Sequence, residues 1–176
     1  MELHQTSSRP VHNFTLVPVG FEHVPALLDV YRQCEDFLAL GPQAYASIEM
    51  VKQDLRLSQK AGGLYRGIVN ADGQIVGVLD VVPGGFEGDP AVAFVELLMI
   101  AVPFRGRGLG EAVLAAAEAE ICANPAIREI QLGVQVNNPG GLRFWRRMGY
   151  TACGEPEDLP DGTRAMRFRK GIERTG

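Results

Sequence analysis

Between residues 102 and 110 the chain reads Val-Pro-Phe-Arg-Gly-Arg-Gly-Leu-Gly, with glycines at 106, 108 and 110 and arginines at 105 and 107. Glycines at alternate positions remove the Cβ atoms that would hold a ligand away from the backbone. Where a strand turns into a helix, the unbonded N–H groups and the helix dipole form an anion site, and Arg105 and Arg107 add positive charge beside it. A pyrophosphate would fit such a loop. The pattern is neither a P-loop, which ends in Gly-Lys-Ser/Thr, nor a dinucleotide loop spaced G-x-G-x-x-G. A second chemical candidate is Glu96, the only charged residue between Pro90 and Phe104. Desolvation in that apolar run raises a carboxyl pKa toward the range of a useful general base; the alternative is a structural carboxylate paired with an arginine or lysine of a neighbouring strand. His4, His12 and His23 lack metal-ligand spacing and offer no nucleophile-base pair, so neither metal nor covalent chemistry is expected. Cys34, Cys122 and Cys153 are odd in number and widely spaced, as in ordinary thiols of a reducing compartment.

These groups need elements to hold them. Residues 1–12 read as a loose leader and 171–176 as a tail, with one domain over 13–170. A strand is expected over 13–18. Phe21, Val24, Leu27, Leu28 and Tyr31 recur at helical intervals up to the stop at Gly41-Pro42, and Ile48, Val51, Leu55 and Leu57 mark a second helix. Strands over 64–69 and 75–82 flank Asp72-Gly73, a hairpin signal because the turn needs positive φ. The apolar run 91–102 reads as a strand buried on both faces. Residues 109–123 are nearly all helix formers, with Val113, Leu114, Ala117 and Ile121 on one side and Asn124-Pro125 as the stop. A strand over 130–136, a short helix over 141–148 and a closing pair over 150–153 and 164–168 around Asp161-Gly162 complete the order. The fold class is α/β in the broad sense (α+β): one mixed sheet of about six to seven strands with helices on its faces.

Arg105-x-x-Gly108-x-Gly110, after a strand and before a helix, resembles the coenzyme A signature R/Q-x-x-G-x-G/A of the GNAT N-acetyltransferase superfamily, and the preceding Val-x-Pro-x-x-Arg agrees. Downstream, Asn138, Gly141, Trp145, Gly149 and Tyr150 resemble that superfamily's later motif, N-x-x-A-x-x-x-Y-x-x-x-G-F, in the right order and separation. The resemblance spans residues 64–168; the first sixty residues match only in outline. It implies two parallel strands, near 96–102 and 130–136, that splay apart and take the pantetheine arm of acetyl-CoA between them. The implied cofactor contacts are the backbone of Ile100 and Val102, the loop residues Arg105, Gly106, Arg107, Gly108, Leu109 and Gly110, the Asn138 side chain, and Trp145. An N-terminal helix cap is an equally good role for Asn138, and both can coexist.

An alkylammonium has no lone pair at neutral pH, so amine acetylation needs a base. The resemblance places Glu96 where the histone-acetylating branch carries its general-base glutamate, often acting through a water, and gives the Ile100 N–H to the developing oxyanion. Trp145 stands where the family's tyrosine protonates the leaving thiolate; an indole N–H only donates hydrogen bonds, which leaves the thiolate to depart unassisted. Tyr150 reads as core. The expected activity is acetyl transfer to a primary amine of a small molecule or peptide, with a catalytically weak acyl-CoA-binding regulatory module as the alternative. A net charge of −4 and a pI near 5.4 argue against nucleic acid. No apolar run approaches the about 20 residues of a membrane span, and a cytoplasmic protein is expected; the resemblance implies a homodimer, which is common in that superfamily. Glu35-Asp36 and the acidic residues 155–161 either favour a cationic acceptor or form a solvated surface.

Overall fold

The turn at Asp72-Gly73 forms as its residues dictate: Gly73 adopts φ 78°, and the Asn70 side chain accepts the N–H groups of Asp72 and Gln74. It joins strands β2 (Leu64–Asn70) and β3 (Ile75–Val82), which are antiparallel, with β1 (Phe14–Pro18) on the outer side of β2. β4 (Val92–Ile100) runs antiparallel to β3, β5 (Glu129–Gln135) runs parallel to β4, and β6 (Thr151–Asp158) and β7 (Arg164–Gly171) close the sheet. The computed structural model describes residues 12–174 and gives one seven-stranded sheet in the order β1-β2-β3-β4-β5-β7-β6. Residues 1–11 of the expected leader and 175–176 of the tail lie outside the described residues. The part of the tail that is described is anchored: Ile172 packs on the core and Arg174 donates to the carbonyls of Cys122, Asn124 and Ile127.

Helices cover both faces. α1 (Val24–Arg32) and α3 (Ile48–Ala61) pack against Tyr65, Val78 and Met99, while α4 (Leu109–Cys122) buries Val113, Leu114 and Ala117 on the opposite face with Leu79, Val95 and Leu132. α3 starts at Ser47, whose hydroxyl accepts the Met50 N–H, and ends at Gly62 with φ 72°. Its buried stripe is Val51, Leu55 and Ser58; Leu57, expected inside, is 52 % exposed because it falls off that i, i+4, i+7 line. Ser58 takes the inner place by donating to Asp80. Phe21 also departs from expectation, standing in a 3₁₀ turn ahead of α1 and largely exposed. A four-residue helix, α2 (Glu35–Leu38), follows α1, and α5 (Pro139–Arg147) begins with Pro at its first turn. β6 runs beyond the expected 150–153, through Pro156, which only an unpaired outer edge tolerates.

Candidate active site

The site arises where β4 and β5 part. They pair only from Val92–Val95 against Glu129–Leu132. At that point β4 carries a bulge: Asp80 pairs with Leu97 and Val81 with Val95, which leaves Glu96 as the extra residue. A bulge bends its strand and re-aims its side chain, and here it turns β4 away from β5. The expectation that this run is buried on both faces therefore fails in its second half, where Glu96 is exposed and Leu97, Leu98 and Ile100 are half-buried. Ala101 N–H donates to Val76 O, so by antiparallel alternation the backbone of Leu98 and Ile100 faces away from β3, into the gap.

A cavity of about 650 Å³ fills this gap. It brings together Glu96, Ile100, Arg105, Gly106, Gly108, Leu109, Gly110, Asn138 and Trp145 from the sequence-predicted set. Val102 and Arg107 lie outside its lining. Val102 sits in a 3₁₀ turn with its N–H donated to Gln33 O and its carbonyl taken by the Arg105 N–H.

At one end stands the glycine loop. Gly106 and Gly108 have φ of 75° and 82°, and Gly108 is the N-cap of the 14-residue α4 with no side chain to cap it. The N–H groups of residues 106–111 have no acceptor among the described residues, and Gly106, Gly108, Leu109, Gly110 and Glu111 line the cavity. Gly110 packs against Phe144: a Cβ there would stand 3.6 Å from that ring. His12, to which the sequence assigns no role, lies against the same loop, its Nε2 3.2 Å from where a Gly108 Cβ would be.

Arg105 is placed differently from the reading that aims its charge at a phosphate. Its Nε donates to Ile100 O at 2.6 Å, and its two terminal nitrogens grip the Asp36 carboxylate at 2.6 and 3.1 Å. The guanidinium holds the Asp36 carboxyl below its ordinary range. The Cys34 thiol also donates to Ile100 O, and burial pushes it up. This arginine thus ties α2 to the end of β4 and brings Asp36, Phe37 and Leu40 into the cavity wall. Sequence reasoning named Asp36 only within an acidic pair and missed Phe37 and Leu40, because α2 is one turn long and shows no period. Their only signal was the acidic pair Glu35-Asp36, of which Asp36 is consumed by Arg105.

Glu96 lines the cavity, and no cation pairs with it among the described residues, so the ion-pair alternative has no partner there. Although water reaches it, the crowding of apolar walls raises its pKa above the ordinary glutamate value, and repulsion from Asp80 adds to the rise. Asn138 Oδ1 accepts the Gly141 N–H at 2.9 Å and caps α5, the helix that carries Trp145. Trp145 stands edge-on to Phe144 and Tyr150, with ring centroids 5.1 and 5.2 Å away. Tyr150 is core: it is 2 % exposed and its hydroxyl donates to Glu118, which Lys170 also binds. No tyrosine, cysteine, histidine or lysine lines the cavity among the described residues. No group of three or more His, Cys, Asp or Glu among them could hold a metal, and no helix among them is long and apolar enough to cross a membrane.

The arrangement suits a long ligand with an anionic end and an amide-bearing arm, delivered end-on to a carboxylate. Solved structures share the fold. An acetyltransferase from Thermus thermophilus is 22% identical with a TM-score of 0.76, covering 92% of this chain and all (100%) of its own. An acetyltransferase from Salmonella typhimurium, described as modifying the N-terminal serine of ribosomal protein L7/L12, is 19% identical with a TM-score of 0.73, covering 91% of this chain and 95% of its own. Spermidine N-acetyltransferase from Vibrio cholerae, solved with CoA and spermine, is 12% identical with a TM-score of 0.66, covering 90% and 95%. No curated protein sequence matches the chain. A family model described as Acetyltransferase (GNAT) family matches residues 25–150, and this span includes the bulged strand, the glycine loop and the Asn138 cap. The chain belongs to the acetyltransferase (GNAT) family.

Proposed function

We propose that the chain transfers the acetyl group of acetyl-CoA to a primary amine of a small molecule or peptide, by direct attack within a ternary complex. The observation that carries this reading is the gap between β4 and β5, with unbonded N–H groups of the α4 terminus at one end and Glu96 on its wall. The α4 terminus and glycine loop would hold the diphosphate, with Arg107 adding charge from outside the lining. The unpaired edge of β4 at Leu98 and Ile100 would satisfy the amides of the pantetheine arm in the manner of an added strand. The Ile100 carbonyl is already occupied by Arg105, which leaves its N–H for the thioester oxygen. Asn138 keeps its Nδ2 donors for the arm while its Oδ1 caps α5.

Glu96, acting through a water, would take the proton of the substrate ammonium. The neutral nitrogen then attacks the thioester carbon, the C–S bond breaks, and the thiolate leaves and takes up the proton that the acylated nitrogen sheds as the amide forms. A thiol pKa near about 8.5 allows departure without an acid, which matches a lining that carries no phenol. The same observation favours, as a second reading, a module that binds acyl-CoA without turnover. Calorimetry with coenzyme A, followed by thiol release from acetyl-CoA across a panel of polyamines, amino acids, aminoglycosides and peptide N-termini, decides between them. Saturable binding with release for some amine supports the transferase; binding without release for any amine supports the module; no binding removes both.

A further inference from the structure

A second cavity, of about 590 Å³, opens beside the first, and the two share Phe37 and Gln135 in their walls. Its lining combines apolar Phe37, Leu38 and Met50 with three carboxylates, Glu49, Asp54 and Asp161, and contains no lysine, arginine or histidine among the described residues. Two of the carboxylates are accounted for. Glu49 is exposed and lies within 4.0 Å of both Lys52 and Arg56, and Asp161 accepts the N–H and hydroxyl of Thr163 in the exposed turn before β7. Asp54 is different. It is half-buried on the inner side of α3, and the Tyr31 hydroxyl donates to its Oδ2 at 2.6 Å. Tyr31 is fully buried, and its oxygen lies 2.6 Å from that of Tyr65, so the carboxylate is held in a fixed position from behind. Asp54 has no lysine or arginine partner among the described residues, and its other oxygen makes no hydrogen bond to them. Burial accordingly pushes its carboxyl up.

A desolvated carboxylate without a counter-ion is costly, and a cation that enters beside it removes the cost. Because the cavity shares its wall with the donor cleft, such a cation can belong to the molecule whose other end reaches Glu96. We infer that the second cavity is the acceptor subsite for an organic dication: Asp54 binds one ammonium, the apolar wall of Phe37, Leu38 and Met50 takes the aliphatic stem, and the second amine passes Phe37 and Gln135 to be acetylated. This assignment rests on the proposed acetyl transfer in the first cavity.

The test is calorimetry on the full chain, free and saturated with coenzyme A, against α,ω-diaminoalkanes from ethylenediamine to hexamethylenediamine, each beside the n-alkylamine of equal length. At least one diamine is expected to bind about tenfold or more tighter than its monoamine, as a charged hydrogen bond predicts. Asp54→Asn should erase that preference while coenzyme A affinity and melting temperature stay near wild type. Glu49→Gln should leave the diamine preference within about twofold, as for an exposed charge. Tyr31→Phe, which frees Asp54 to swing, should weaken the diamine but not the monoamine. Equal binding of diamine and monoamine throughout the series, no diamine binding at all, or an Asp54→Asn chain that keeps the preference overturns the assignment. Failure of coenzyme A to bind overturns the acetyl-transfer reading instead, and the diamine series on the free chain then still decides what Asp54 holds.

Discussion

Glu96 combines two properties that a base in this position requires: it faces the cleft, and nothing cationic among the described residues neutralises it. Its raised pKa comes first from the apolar walls and then from the charge of Asp80. A base works in its deprotonated form, so turnover should fall as pH drops through this raised value. The acid limb of kcat/KM should therefore lie above the range of an ordinary glutamate. Glu96→Gln should lower kcat/KM by about 10²- to 10⁴-fold, abolish that limb, and leave coenzyme A affinity near wild type. Steady-state rates across the pH range, paired with calorimetry, check all three, and unchanged turnover at neutral pH would exclude Glu96 as the base. Arg105 teaches the converse lesson. As a motif residue it reads as phosphate-binding charge, yet its fork is spent on Asp36 and Ile100, and it serves the cleft by fixing α2.

At the scale of elements, the glycine loop and α4 act as one unit. Gly108 sits at φ 82°, a left-handed conformation that costs an ordinary L-residue about 1–2 kcal/mol, and a Cβ there would press on His12 at 3.2 Å. Gly108→Ala should lower stability by that amount and weaken coenzyme A binding further, because relief of the strain re-aims the first N–H groups of α4. Urea denaturation and calorimetry on the same variant separate the two effects; wild-type affinity in a destabilised chain would show that the loop's backbone does not grip the ligand. The existence of α4 and the turn joining β2 to β3 were readable in advance, since both depend on neighbours a few residues apart: helix formers before Asn124-Pro125, and Gly73 in its turn; the one-residue shift of pairing between Ile68 and Val69 was not. The bulge at Glu96 was not readable, since β4 is apolar on both sides of it and only the pairing partners on β3 reveal the extra residue. The same holds for α2, too short for a period, and for the inner place of Ser58, which depends on Asp80 from another element.

For the whole molecule, the buried Asp80 links both layers, bonded to Ser58 of α3 and repelling Glu96 of β4. Desolvation raises its carboxyl above the ordinary aspartate value. The folded chain therefore binds this proton more tightly than the unfolded chain, and the stability so gained is present below the unfolded pKa and lost as pH rises through the folded one. Asp80→Asn keeps an acceptor for Ser58 without the charge. It should be more stable than wild type at neutral pH, and the difference should shrink toward mildly acidic pH; urea midpoints of the two chains measured side by side test this, and a constant offset across pH would refute it. By itself the sequence determined the long helices, most strands, the hairpin turn, the glycine loop and the family, because periodicity, glycine conformation and motif spacing act over a few residues. Tertiary structure alone decided what Arg105 holds, where β4 leaves β5, and how Asp54, Tyr31 and Tyr65 meet beside a second cavity. Arg105 and Asp36 are 69 residues apart, and no local pattern encodes a partner at that distance; only the packing of α1, α2 and α3 on the sheet brings such groups together.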